Sequence, residues 1–214
     1  LVSDAGTPLI SDPGYKLARA VIDRLPGLQV IALTGAAGKT GTQDLLGGLL
    51  EPSAPTIAPV GSFNNELGLP LTVLRADEQT RFLVLEMGTR GLGHVAYLTE
   101  IAPPSIGVVL MVGTAHLGEF GGQQAIAEAK RELVEALPDG GLAVLNADDP
   151  RVAGMAGHTT ARVVTYSAQG RPADVRAEGL RLEAGCPAFT LVAPQGAAEV
   201  ALALVGEHQA ANAL

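Results

Sequence analysis

The chain has 214 residues, of which 47% are hydrophobic and only 3% are aromatic, and its formal net charge is −8. This length suffices for one domain with a sizeable core, and a core of Val, Leu, Ile and Ala is typical of α/β proteins with buried parallel strands. Because nucleic-acid-binding proteins usually have a basic face, the acidic balance argues against a nucleic-acid partner. The single cysteine, Cys186, excludes an internal disulfide. The sequence shows no signal peptide and no apolar run of about 18 residues, so we expect a cytoplasmic protein without membrane insertion.

Apolar runs alternate with helical patterns up to residue 150. Residues 28–34, 81–88, 105–113 and 142–150 are predicted as strands, and residues 39–50, 62–76 and 121–137 as helices, the second of them interrupted by Pro70. Strands that alternate with helices favour a parallel, doubly wound sheet. After residue 160, β-like runs separated by Gly and Pro turns predict a smaller, largely antiparallel extension. The last residues, 207–214, resemble the opening turns of a helix.

The stretch TGAAGKT, residues 34–40, follows the first strand and precedes the first helix of this pattern. Backbone N–H groups at a helix N-terminus attract phosphate, and Gly35 and Gly38 would let the backbone curl around it. Lys39 would reach the terminal phosphates, and the Thr40 hydroxyl would bind Mg²⁺. The general phosphate-loop pattern places a glycine where this chain has Leu33, so an ordinary Gly-containing turn with a surface lysine stays open.

Polar residues also follow the next two predicted strands. Glu86 ends one of them, and His116 lies just past the other. Since ligands bind at the carboxyl edge of an α/β sheet, both residues are candidates for a metal or substrate site, with a capping Glu and a structural His as the alternatives. Lys130 lies in an amphipathic helix, where periodicity alone favours a solvated lysine. Asn146 begins a loop, LNADDP, that could bind a nucleoside or simply form a turn.

As a set, these segments resemble the Mur ligases, the ATP-dependent amide ligases of peptidoglycan synthesis. The resemblance covers about residues 17–214 and includes IALTGAAGKTGTQDLL, LVLEMGTRG, MVGTAHLGEF, LNADDP and GEHQAANAL in the family's order. The family's phosphate loop reads T-G-x-x-G-K-[ST], which explains Leu33. The stretch SFNNELGLPLTVL most resembles the branch that adds D-alanyl-D-alanine to UDP-N-acetylmuramoyl-tripeptide through an acyl phosphate. The resemblance therefore implies a mostly parallel P-loop-type α/β sheet flanked by helices, with an antiparallel β extension after residue 160.

The resemblance also implies a role for each matching residue. ATP would contact the loop and three further side chains, namely Gly35, Ala36, Ala37, Gly38, Lys39, Thr40, Asn146, His208 and Asn212. Mg²⁺ would be held by Thr40, Glu86, His116 and Lys130, the last of which is typically carbamylated in this family. The catalytic residues would be Lys39, Glu86, His116 and Lys130. Asn64 and Asn65 would lie near the muramoyl-peptide.

Several features depart from the family's pattern. Met111 stands where the family usually has Asn, and Glu207 and Gln209 replace a usual Arg and Asn. Gly41 and Gln43 replace a usual hydroxyl residue and lysine. The N-terminal domain that binds the uridine nucleotide and the C-terminal domain that binds the incoming amino compound are both missing from the sequence, so residues 21–214 are expected to be a truncated central ATP-binding domain.

Residues 1–20, LVSDAGTPLISDPGYKLARA, resemble a fragment of the ribosomal-RNA methyltransferases of the tetrapyrrole-methylase family. An irregular, Gly/Pro/Asp-rich lead-in is the alternative. We therefore expect two fragments joined together, and about 20 residues are too few for a methyltransferase site. Two other functional readings stay open, a nucleotide-binding remnant that ligates nothing and, favoured only by residues 1–20, an S-adenosylmethionine-dependent methyltransferase.

Overall fold

The structure, a computed structural model, describes residues 13–113 and 122–214. The helices of this part are α1 (Pro13–Arg24), α2 (Lys39–Leu50), α3 (Gly68–Val73), α4 (His94–Ile101), α5 (Gln123–Glu135), α6 (Pro150–Ala153) and α7 (His208–Ala213), with a 3₁₀ turn at Gly154–His158. Its strands are β1 (Gln29–Thr34), β2 (Thr56–Ile57), β3 (Phe82–Glu86), β4 (Ile106–Val109), β5 (Leu142–Asn146), β6 (Arg162–Ser167), β7 (Val175–Glu183), β8 (Cys186–Ala193) and β9 (Gly196–Ala201). In the described ranges, no helix has the length and apolar character needed to cross a membrane.

These strands form one sheet in the order β2-β3-β1-β4-β5-β6-β7-β8-β9. Every neighbouring pair from β2 to β7 is parallel, whereas β7–β8 and β8–β9 are antiparallel. The predicted fold class is confirmed. The first antiparallel pair is β7–β8, later than the sequence suggests, because β6 and β7 both continue the parallel sheet beyond β5.

Alternate residues of the central strand β1 face two separate apolar clusters. Val30 and Ala32 pack in the larger cluster, which includes residues of α1, α3, α4 and α5. Ile31 and Leu33 pack in a second cluster, which includes Leu46 of α2. Since all four strand residues are at most 4% exposed, β1 is covered by helices on both faces. Such burial explains its continuous apolar sequence.

Helix α1 crosses residue 20, where the sequence predicts a boundary between two pieces. It packs on α3 and α4, its Ala18 is fully buried, and the Tyr15 ring stacks on Tyr97 at a centroid distance of 6.1 Å. Residues 13–20 therefore form a regular helix rather than an irregular lead-in. Residues 1–12 lie outside the described ranges, and the division of the chain at residue 20 stays a prediction.

The register of the parallel strands gathers four strand ends at one edge of the sheet. Leu33 lies opposite Glu86, Val109 opposite Leu145, and Thr34 opposite Val109. The segments after β1, β3, β4 and β5 consequently begin side by side. This carboxyl edge is where open α/β sheets bind their ligands.

Candidate nucleotide-binding site

The loop between β1 and α2 is tightly fixed by its glycines. Gly38 has φ = +83°, a conformation that favours glycine. A side chain at Gly35 would begin 2.9 Å from Leu110 Cβ, so the loop lies directly against the end of β4. The first backbone hydrogen bond of helix α2 runs from Thr42 N to Gly38 O. The N–H groups just before it have no acceptor within the helix and form the positive end of its dipole.

Replacing Gly38 tests this loop geometry. A Cβ there would need a left-handed backbone and would lie 2.6 Å from Asn212 Oδ1, so we expect Gly38→Ala to lower the free energy of unfolding by about 1–3 kcal/mol. Gly48→Ala in α2 is the matched control. Its Cβ meets no heavy atom within 4 Å, so we expect a gain of about 0.5–1 kcal/mol. Urea unfolding of both variants measures these changes, and equal effects would contradict the assigned role of Gly38.

The Glu86 carboxylate, at the end of β3, is 1% exposed and faces three side chains that donate or carry positive charge. Thr40 Oγ1 donates to its Oε2 at 3.0 Å, and Asn64 Nδ2 donates to its Oε1 at 2.5 Å. Lys39 Nζ lies 3.8 Å from Oε1 and donates to Gly35 O at 3.0 Å. The loop ammonium, the first-turn hydroxyl and a buried acidic group therefore meet at one point, as the sequence predicted from the strand ends.

Lys130 of α5 is only 3% exposed. The solvated position that periodicity favours is therefore wrong. Burial, and after it the positive charge of Lys39, lower the pKa of the Lys130 ammonium from 10.5 to about 8.

Asn146 and the aspartates after it hold the turn after β5. Asn146 Nδ2 donates to Leu110 O, and its Oδ1 accepts from Asp148 N, both at 2.8 Å. Asp149 accepts from Val112 N at 2.8 Å and caps α6 by accepting from Arg151 N. These bonds tie the end of β5 to the end of β4. Both polar ends of the Asn146 amide are thus engaged by the backbone, and its contact with a nucleoside stays a prediction.

The last helix brings one of its two candidate residues to the loop. Asn212 lies over Gly38 and Gly41, since a Cβ on either glycine would fall within 3.1 Å of its amide atoms. His208 is exposed and lies against Gly206 instead. The structure therefore joins Asn212, but not His208, to the phosphate loop.

The two remaining predicted site residues are His116 and Asn65. His116 falls outside the described residues. Asn65 caps α3, because its Oδ1 accepts from Leu67 N at 3.1 Å and from Gly68 N at 2.8 Å. Within residues 13–113 and 122–214, no three His, Cys, Asp or Glu side chains are grouped as metal ligands would be.

A charged cluster next to Asn65 was missed by sequence reasoning. Glu66 Oε1 lies 3.0 Å from Arg90 Nη1, and Glu66 Oε2 lies 3.1 Å from His94 Nε2. Burial raises the pKa of Glu66, but its hydrogen bonds and the Arg90 and His94 charges outweigh this and hold that pKa below 4.5. The cluster joins the start of α3 to the start of α4. No sequence signal links residues so far apart along the chain.

The fold and the loop place the chain among α/β proteins of the P-loop type. Its residues 33–214 match the family described as the Mur ligase middle domain. The chain belongs to this family.

Relatives and solved structures agree with this assignment. The UDP-N-acetylmuramoyl-tripeptide–D-alanyl-D-alanine ligase of Mycobacterium tuberculosis (strain ATCC 25618 / H37Rv) is 54% identical over 202 residues, which cover 93% of this chain and 39% of the relative. The crystal structure of MurF from Acinetobacter baumannii has a TM-score of 0.88 and 34% identity, over 93% of this chain and 44% of that one. The MurF ligase from Thermotoga maritima in complex with ADP has a TM-score of 0.83 and 27% identity, over 99% and 51%. The chain thus spans about two fifths of the curated relative's length.

Proposed function

We propose that this chain is the ATP-binding part of a ligase that adds D-alanyl-D-alanine to UDP-N-acetylmuramoyl-tripeptide in peptidoglycan synthesis. The observation that supports the proposal most is the meeting of Lys39, Thr40 and Asn64 on the buried Glu86 carboxylate. The ADP complex of the Thermotoga maritima MurF, a protein of the same fold, also favours a nucleotide ligand. Because such a reaction uses ATP, the proposal places it in the cytoplasm.

The residues present fit a magnesium–nucleotide complex. Mg²⁺ in proteins is usually held by one or two carboxylates, with phosphate oxygens and waters completing its coordination. Glu86 supplies a buried carboxylate, and the Thr40 hydroxyl oxygen lies 3.0 Å from it. When bound, the ion would offset negative charge on the phosphates. His116 and Lys130 stay proposed ligands of a second ion.

Each residue of the site has a proposed task in phosphoryl transfer from ATP to the terminal carboxylate of the substrate. Lys39 would turn from Gly35 O toward the terminal phosphates and hold them in line for attack. The N–H groups at the start of α2 would bind phosphate oxygens. The chain's contribution is positioning and charge stabilisation, which dominate catalysis of this reaction type. An acyl phosphate of the tripeptide results, and the amine of the incoming dipeptide displaces its phosphate.

Lys130 is proposed to act after carbamylation. The neutral amine adds CO₂ to form an N-carboxylate and releases a proton, so a pKa of about 8 leaves part of the lysine reactive near neutral pH. The product carries a negative charge, which suits a cation better than the ammonium does. Burial at 3% exposure keeps competing water from that position.

A nucleotide-binding domain that ligates nothing by itself is the second candidate. The observation that favours it is Gly41, which stands in the first turn of α2 where the family usually has a hydroxyl residue. A Cβ there would lie 3.1 Å from Asn212 Nδ2, so the helix start is packed for glycine.

Calorimetric titration distinguishes these functions. With Mg²⁺ present, we expect the chain to bind ADP and a non-hydrolysable ATP analogue and to show no binding of S-adenosylmethionine. Phosphate release from ATP that requires both UDP-N-acetylmuramoyl-tripeptide and D-alanyl-D-alanine supports ligation by this chain. Nucleotide binding without such release favours the second candidate. Binding of S-adenosylmethionine alone would contradict both and favour a methyltransferase.

A further inference from the structure

Asn64 is fixed to the end of β3 by both its side chain and its backbone. Its Nδ2 donates to Glu86 Oε1 at 2.5 Å, and its carbonyl oxygen accepts from Gly88 N at 2.8 Å. A Cβ on Gly88 would lie 3.0 Å from Asn64 Cγ, so glycine permits this close approach. An ionised carboxylate offers only acceptors, so the amide nitrogen, and not its oxygen, must face Glu86.

The segment that holds Asn64 is tied in turn to the phosphate-loop helix. Gln43, in the first turns of α2, is fully buried, and its Nε2 donates to Pro59 O at 3.0 Å. Arg75 Nη1 donates to the neighbouring Ala58 O at 2.9 Å. Residues 58–64 therefore run between α2 and β3 with fixed contacts at both ends. Their position depends on the same helix that presents Lys39 and Thr40.

We infer that Asn64 is a positioning residue that fixes the orientation of the Glu86 carboxylate for a magnesium–nucleotide complex. The terminal torsion of a Glu side chain is soft, so two donors, one on each oxygen, are needed to define it. Thr40 holds Oε2 and Asn64 holds Oε1. Asn64 is a neutral donor, so it orients the carboxylate without neutralising the charge that a cation requires.

Loss of the Asn64 amide has a specific structural consequence. Lys39 Nζ lies 3.8 Å from the oxygen that Asn64 holds. Without its amide partner, Oε1 can move closer to the ammonium, so that the existing ion pair at 3.8 Å tightens into a direct hydrogen bond. The Lys39 ammonium would then be less available to the nucleotide phosphates, and the Glu86 carboxylate would be less available to Mg²⁺. The inference rests on the proposed function, and it extends the role of Asn64 beyond the expected contact with the muramoyl-peptide.

The test measures ADP affinity with Mg²⁺ and with the metal chelated. For Asn64→Ala, we expect the Mg²⁺-dependent gain in ADP affinity to fall by about 10- to 100-fold, which is the usual cost of losing a hydrogen bond to a charged group. The ADP affinity measured with the metal chelated should change much less. Asn64→Gln, which keeps the amide, should recover part of the loss. Ser62→Ala, which alters an exposed side chain of the same loop, is the matched control and should behave as the wild type.

A double-mutant cycle with Glu86→Gln shows whether Asn64 acts through Glu86. The inference requires that Asn64→Ala has little further effect on Mg²⁺-dependent affinity once Glu86 is Gln. Additive effects would overturn it. The same cycle in urea unfolding does not need a nucleotide, so it remains decisive even if the wild type binds none and the proposed function fails. Coupling between the two residues in unfolding supports the inference, and its absence overturns it.

Discussion

Lys39→Ala is expected to reduce the affinity for ADP and ATP analogues by at least about 100-fold, which corresponds to about 2.7 kcal/mol. The lysine provides the ammonium that faces the loop, and its charge would be only partly screened because its side chain is 19% exposed. Stability should fall but the fold should persist, since the variant loses one hydrogen bond to Gly35 O and the ion pair with the buried Glu86 carboxylate, which keeps its Thr40 and Asn64 donors. Calorimetric titration with Mg²⁺ measures the loss of affinity, and urea unfolding measures stability.

Two further variants make the Lys39 result specific. Lys16→Ala removes an exposed lysine of α1 and should leave affinity unchanged, which controls for net charge. Lys39→Arg keeps the charge with a different donor geometry and should recover part of the binding. Affinity that stays at the wild-type value in Lys39→Ala would show that the loop does not hold phosphate.

Lys130→Met is expected to stabilise the fold by up to about 3 kcal/mol at pH 7 in buffer free of CO₂. Burial lowers the pKa of this lysine from 10.5 to about 8, so the folded state binds its proton less tightly than the unfolded state does. Below pH 8 both states are protonated, and the full penalty of the buried charge applies. Methionine has similar length and no charge, so it removes that penalty.

The pH dependence has a defined sign. Between pH 8 and 10.5 the unfolded state holds more protons at Lys130 than the folded state, so the free energy of unfolding gains a contribution that rises with pH. The stabilisation by Lys130→Met should therefore shrink toward pH 10. Urea unfolding of both proteins at several pH values checks this, and curves that run parallel from pH 7 to 10 would refute it. In a Lys39→Ala background, the Lys130 pKa should stay lowered and Lys130→Met should keep most of its stabilising effect, because burial is the larger cause of the shift.

Sequence alone predicted the elements that have strong periodicity. The predicted helix 39–50 has the bounds of α2, and the predicted strands contain β1, β3, β4 and β5. Helix α4 was missed because its sequence, HVAYLTEI, is only eight residues long and mostly apolar, which makes a helical period hard to recognise. The parallel pairing of β6 and β7 was also missed, because alternation within a strand is the same in parallel and antiparallel pairs.

Part of the candidate site could be predicted from the order of the strands. Lys39, Thr40 and Glu86 follow strands whose ends must share an edge, so their meeting could be expected from the strand pattern. The contacts Asn64–Glu86 and Gln43–Pro59 could not, because they depend on the path of an irregular segment across the sheet. The burial of Lys130 was equally hidden, since it depends on what covers α5 rather than on the helix itself.

Amide NMR of the ¹⁵N-labelled chain, titrated with Mg²⁺ and ADP, tests most directly whether residues 34–40 form a phosphate-binding loop. We expect the largest shift changes at the amides of Gly35, Gly38, Lys39 and Thr40, and we expect these changes to disappear in Lys39→Ala. Saturable binding with shift changes centred elsewhere, or no change at these amides at high ADP concentration, would contradict this expectation.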